Sequence, residues 1–244
     1  MTNYRLTIEY DGVDFNGWQR QKNTKNTIQE FIESSLKSLL KHDITLIGAG
    51  RTDSGVSALN QVANFKSDAV TDKRKLIYSL NSMLPETIFI KDIKEVSPDF
   101  HSRYSAKKRE YIYRISLRKK ALEGRYYHRL IYNIDFRLID RLIEVFTGYK
   151  SFRSLCKNPS DKHNFFCNVS KLDYDYRKRK EELIFRIISD RFLHSMVRGV
   201  LGCLTDVGRG RLDFEETKNA FNKGEKIKAV FLPGNALFLK KIYY

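Results

Sequence analysis

Apolar residues along this chain change their spacing in the same order twice, and that order restricts the fold more than any single motif. Tyr4 to Asp11 alternates, with Leu6, Ile8 and Tyr10 on one face, which is the period of a half-buried strand. Thr27-Ile-Gln-Glu30 then has the form of a capping box, and Ile28, Phe31, Ile32, Leu36, Leu39 and Leu40 recur at helical spacing. Short strands are expected at Ile44 to Ile47 and Gln61 to Lys66, a helix over Leu76, Ile77, Leu80 and Leu84 that stops at Pro85, and a strand at Ile88 to Val96. The second half repeats this. Lys108 to Leu117 alternates, Asp135 to Phe146 has helical spacing, and Val169 to Tyr176 with Leu183 to Ser189 reads as a hairpin. A long helix from Phe192 to Val207, a short one near Asp213 to Asn222 and a last strand at Ala236 to Tyr243 follow.

Two β-α-β-β-α-β units in tandem form the split βαβ, ferredoxin-like pattern. The expected fold is therefore α+β, with a shared antiparallel sheet, helices on one face and the other face left for a ligand. The halves are expected at residues 1–104 and 105–244.

Charge narrows the partner. Lys and Arg number 45 against 29 Asp and Glu, a formal charge of +16. Such an excess suits a polyanion, because cationic side chains on phosphates release counterions. No apolar run approaches the roughly 18 residues of a membrane span, and no basic amphipathic helix with a bulky apolar face stands out. The strand-like start at Tyr4 reads as no signal peptide. Nucleic acid is favoured over a membrane. Cys156, Cys167 and Cys203 form no C-x-x-C pair, as expected for a reduced, cytoplasmic protein. Cys156, His163 and Cys167 lack a fourth ligand at usual spacing, so no metal is expected.

Between the second and third strands lies "GAGRTDSGV". It is no dinucleotide loop, since Asp53 stands where a glycine is needed, and no P-loop, since Val56 and Ser57 follow Gly55. Asp53 has two readings: ordinary turn chemistry with Ser54 and Gly55, or a carboxylate acting as nucleophile or stabilising a cation at a sugar anomeric carbon. Arg51 either is a solvated charge or reaches a phosphate or the gap left by an extruded base. Tyr111 and Tyr113 share a strand face, either as core or as rings that stack on a base, with Arg109 and Arg114 nearby. Arg198 lies in an otherwise apolar helix, where a buried guanidinium demands an anion and an edge one snorkels to water. Gln19 and Arg20 in "FNGWQRQ", and His101 and Arg103 in "HSRYSAKKR", mix amide, aromatic and basic groups as RNA-facing segments do. The run Arg177 to Lys180 marks a solvated hairpin tip or a phosphate contact.

Taken in order, "YDGVDFNGWQRQ", "TIQE", "GAGRTDSGVSALNQVANF", "LNSMLP", "DFHSRYSAKKREYIYRI" and "FLHSMVRGVLGCLTDVGRG" resemble the TruA family of tRNA pseudouridine synthases over nearly the whole chain. The resemblance implies that Asp53 is the catalytic aspartate, Arg51 the base-displacing arginine, Tyr111 the ring on the target uracil and Arg198 the ion-pair partner of Asp53. It also implies two ferredoxin-like halves, a homodimer, and the anticodon arm of tRNA near positions 38 to 40 as substrate. The chain departs from the family's usual "RTDAGVHA" at Ser54 and Ser57, reads "FHSRYS" for "FHARFS", and lacks the usual "APAxGL" near its C-terminus.

The reaction so implied converts uridine to pseudouridine without redox or energy input, so no cofactor is expected. Its rivals are a non-catalytic basic RNA-binding protein and an aspartate-based RNA hydrolase. The hydrolase would need clustered carboxylates for a metal, which the sequence lacks.

Overall fold

A computed structural model describes residues 1–159 and 164–244. It is a mixed α/β protein with mostly antiparallel strands and five α-helices among the described residues. The chain forms two compact units, Met1–Lys107 with Phe238–Tyr244 and Lys108–Leu237.

In the first unit, β1 (Thr2–Tyr10) lies between β3 (Ser57–Ser67) and β4 (Ile88–Val96) and is antiparallel to both. Strand β2 (Ile47–Gly48) pairs with β3. The two helices are α1 (Ile28–Leu40) and α2 (Lys73–Met83). Thr27 caps α1, its hydroxyl accepting the Glu30 N–H at 3.4 Å, and Asp72 caps α2 in the same way through the Arg74 and Lys75 N–H groups. Ile28, Ile32 and Leu36 of α1 are fully buried, as are Leu6 and Ile8 of β1. These apolar faces form the core of the unit. Strand β3 is buried along most of its length and begins at Ser57, four residues before the expected start. Packed on both faces, it shows no clean alternation at its N-terminal end.

The second unit holds β5 (Lys108–Ser116), β7 (Gly148–Ser151), β8 (Phe166–Arg177) and β9 (Glu182–Ser189) in the antiparallel order β5-β9-β8-β7, with β6 (His128–Arg129) parallel to β5. Helix α3 (Phe136–Phe146) packs against α4 (Met196–Gly208), and α5 (Phe214–Lys223) adds Phe221 to a ring cluster with Phe146 and Phe152. The helix expected from Phe192 begins at Met196 instead. Ser195 has φ 56°, a left-handed conformation that a helix does not pass through. The last strand, β10 (Leu237–Tyr243), runs parallel to β3 through Phe238 and Leu239. Counted along the chain it follows the second half; by contact, from Phe238 onward, it belongs to the first unit.

Candidate active site

The turn between β2 and β3 carries Arg51, Thr52 and Asp53, and the segment after β1 holds its backbone. The Thr52 carbonyl accepts the Trp18 N–H at 3.1 Å, and the Gly55 N–H donates to the Phe15 carbonyl at 3.2 Å. The Asp53 carbonyl accepts the Val56 N–H at 3.2 Å, closing a turn in which Gly55 takes φ 79°. A Cβ on Gly17, itself at φ 91°, would stand 2.7 Å from the Thr52 carbonyl oxygen. One on Gly48 would stand 2.5 Å from the Trp18 indole nitrogen. Both glycines let protein approach protein, so the turn is gripped tightly rather than left open around a ligand.

Polar side chains complete the grip. The Thr52 and Tyr10 hydroxyls lie 2.8 Å apart, and Gln61 Nε2 donates to the Gly50 carbonyl at 2.9 Å. Thr52, Tyr10 and Gln61 are all buried. Ser54 Oγ donates to the Phe15 carbonyl at 3.1 Å, and Ser57 Oγ accepts the Gly12 N–H at 3.0 Å. The two serines that depart from the usual family motif thus tie the turn to residues 12–15. Above this frame Asp53 is half-buried and Arg51 exposed.

Around the same segment, buried Glu33 of α1 accepts the Leu46 N–H at 2.7 Å and Gln29 Nε2 at 2.8 Å, and pairs with Arg20 at 3.1 Å. Gln29 Oε1 in turn accepts the Arg20 N–H at 3.1 Å. The Arg20 guanidinium is therefore engaged by a carboxylate of its own protein, while Gln19 is half-buried beside it. The Gln29 and Glu33 contacts join α1 to this segment. In the sequence Gln29 read only as part of a helix cap.

His101 caps its own turn. Its Nδ1 accepts the Arg103 and Tyr104 N–H groups at 3.2 and 3.3 Å, which leaves the proton of a neutral ring on Nε2. The Tyr104 ring, 77 % exposed, lies 4.3 Å from the His101 ring, with the Arg103 guanidinium 5.7 Å from its centroid. This is an outward aromatic and cationic surface of the kind that stacks on bases.

In the second unit Tyr111 and Tyr113 are both buried, with different neighbours. Tyr113 is buried and donates its hydroxyl to the Pro233 carbonyl at 3.0 Å. Burial pushes its ionisation well above the ordinary tyrosine value, opposed by the positive charge of Arg198. Tyr111 makes an edge contact with Phe192, ring centroids 5.1 Å apart. Its register neighbours Ile187 and, one pair along, Phe185 belong to the face on which Tyr174 stacks with Phe136 of α3. Tyr111 is thus on the helix-packed face, whereas the sequence left the opposite face for a ligand. Arg109 shares that strand face by alternation, and its guanidinium donates to the Asp190 carbonyl at 2.8 Å.

Arg198 lies in the first turn of α4, not in its middle, because the helix starts late. It is also the one residue of α4 that is not buried. Its Nε donates to the Leu232 carbonyl at 2.6 Å while its own carbonyl accepts the Leu232 N–H at 3.2 Å. Leu232 was not legible as a site residue, since a backbone carbonyl leaves no mark in sequence.

A family model described as tRNA pseudouridine synthase matches residues 6–105 and 142–244. The chain belongs to the tRNA pseudouridine synthase family. Asp53 and Arg198 fall inside the matched segments; Tyr111 and Arg109 fall between them. Full-length relatives span that gap. The chain is 37% identical to tRNA pseudouridine synthase A of Chlorobium phaeobacteroides, covering 100% of this chain and 94% of that protein. It is 36% identical to the protein of the same name from Acetivibrio thermocellus and 38% identical to that of Chlorobium phaeovibrioides, each over 100% of both chains.

Cys156, Cys167 and Cys203 are buried, and burial pushes the Cys203 thiol up to about 12. Among the described residues no group of three or more His, Cys, Asp or Glu is placed to hold a metal; His163 lies outside those residues. Nor, among them, is any helix long and apolar enough to cross a membrane.

Proposed function

We propose that this protein isomerises uridine to pseudouridine in the anticodon arm of tRNA, with Asp53 as the catalytic carboxylate. The observation that carries the proposal is the turn that bears Asp53. It is fixed by buried hydrogen bonds from three sides yet leaves the carboxylate half-buried and Arg51 exposed. A site that must hold one carboxylate in place needs such a supporting frame, and Asp53 lies inside the segment matched by the family model.

The uridine must leave its stack before the N1–C1′ bond is reachable. Asp53 assists breaking that bond, the freed uracil turns, and C5 bonds to C1′. The proton lost from C5 is matched by one gained at N1, so atoms and electrons balance without a cofactor. Arg51 fills the gap left by the displaced base, Tyr111 stacks on the uracil and Arg198 serves as ion partner of Asp53. Arg109, Gln19, Arg20, His101 and Arg103 contribute to binding the RNA, Arg20 only after sharing its charge with Glu33. We further propose that the chain works as a cytoplasmic homodimer of two ferredoxin-like halves. In the first unit the order β4-β1-β3, with the short β2 paired antiparallel to β3 off that path, supports that fold.

Asp53→Asn keeps the shape of the side chain and removes the anion. Single-turnover assays with saturating enzyme should show pseudouridine formation falling by roughly 10³-fold or more, the scale on which single catalytic groups act. Filter binding should show tRNA affinity nearly unchanged. Normal turnover by a folded Asp53→Asn protein would end the proposal.

A further inference from the structure

Opposite α4 the main chain from Lys228 to Leu232 runs as a strap, and two residues of the helix hold it. At one end Asp206, buried, accepts the Val230 N–H at 2.9 Å. The same carboxylate takes Arg209 through Nε at 3.0 Å, and Arg211 through Nε at 2.8 Å and through a second, very short contact. Arg211 reaches onward to the Lys228 carbonyl at 2.7 Å. At the other end Leu232 exchanges two hydrogen bonds with Arg198: its carbonyl accepts Nε at 2.6 Å and its N–H donates to the Arg198 carbonyl at 3.2 Å. Between these ends the strap lies against the helix. A Cβ on Gly202 would stand 1.6 Å from the Val230 carbonyl oxygen, and one on Gly199 would stand 2.9 Å from the Phe231 ring.

Asp206 and Arg198 are two turns apart on α4, too far for direct contact along the helix. They touch Val230 and Leu232 of one strap instead, with Phe231 between. Nε is the hinge of a guanidinium fork, so a carbonyl bound there sets the plane in which the two terminal nitrogens lie. We propose that Asp206 is a positioning residue for the isomerisation: by fixing the strap at Val230 it fixes the Leu232 carbonyl, and through it the direction of the Arg198 guanidinium. This rests on the reading of Arg198 given above. Charge agrees with geometry. Burial raises the Asp206 carboxyl, but hydrogen bonds from Arg211, the Val230 N–H and Arg209 outweigh it and hold the group below its ordinary value, ionised at neutral pH.

The test uses the full chain and a tRNA transcript, with single-turnover rate and tRNA affinity measured for each variant at a temperature where all are folded. Asp206→Asn should slow the reaction about 10-fold or more while binding changes less than about 2-fold. Arg198→Lys keeps the cation but has no Nε to give to Leu232. In that background Asp206→Asn should change the residual rate less than about 2-fold. Equal slowing in both backgrounds, or full turnover by Asp206→Asn, overturns the proposal. Should Asp206→Asn fail to fold, Arg211→Gln, which lets go of the Lys228 carbonyl, is read in the same cycle by the same criterion. Wild-type turnover by Arg198→Lys would overturn the proposal for a different reason, because Arg198 itself would then need no direction.

Discussion

Tyr113 gives its hydroxyl to Pro233 and sits in the core, while Tyr111, two residues earlier on the same face, meets the edge of Phe192. Tyr113→Phe should therefore cost about 1 kcal/mol of stability, the usual net worth of one hydrogen bond, with little change in turnover. Tyr111→Ala also empties a buried site and should cost about 3 kcal/mol or more of stability, but it alone should cut turnover per folded enzyme, by at least about 10-fold, since base–aromatic stacking is worth about 1–3 kcal/mol. Denaturant melts and single-turnover rates on both variants separate the two. His128 gives a pH signature of its own. Burial, with Arg209 adding repulsion, holds its imidazole below the ordinary value of 6.5. As pH falls through 6.5 the unfolded chain takes up a proton that the folded chain resists, so stability is greatest above that pH and declines below it. Thermal melts across this range should show the decline, and His128→Gln should flatten it.

At the scale of elements, each unit has one close approach beside a candidate residue. The residues before α1 press on the Asp53 turn at Gly17, and the strap presses on α4 at Gly202. Gly17→Ala combines a positive φ of 91° with a 2.7 Å clash against a backbone oxygen. It should destabilise by about 1–3 kcal/mol, and lower turnover beyond the loss of folded protein because the turn bearing Asp53 must shift. Urea titration gives the first quantity, and the rate per folded enzyme gives the second. An unchanged rate in the folded fraction would show that the turn tolerates displacement. The late start of α4 has the same character. Ser195 at φ 56° places Arg198 in the first helical turn, where the strap reaches it.

For the whole molecule, the formal charge of +16 dominates the encounter with RNA. Each phosphate contact releases counterions, so raising salt from about 50 to 200 mM should weaken tRNA binding by about 10³-fold if six or so phosphates are engaged. A dissociation constant for tRNA that stays flat over that range would rule out a phosphate-led interface. Arg51→Ala should remove one such contact at most, weakening binding by less than about tenfold at fixed salt, with any larger loss appearing in turnover.

Sequence alone determined the element types, because periods of 2 and 3.6 are written in the spacing of residues such as Leu6, Ile8 and Tyr10 or Ile28, Ile32 and Leu36. The strand Ile88–Val96 and the helix capped by Asp135 lie where that spacing places them. The family resemblance also marked Asp53 and Arg198 as candidate site residues, because such a resemblance is carried by particular residue types in a particular order. Tertiary structure decided what touches what. That Gly17 and Gly48 serve Thr52 and Trp18, that Arg20 is paired with Glu33, and that Tyr113 is bonded to Pro233 depend on segments distant in the chain. So does the parallel pairing of the last strand with β3. Backbone carbonyls such as those of Thr52 and Leu232 carry much of this, and every residue has one, so only the folded path of the chain distinguishes them.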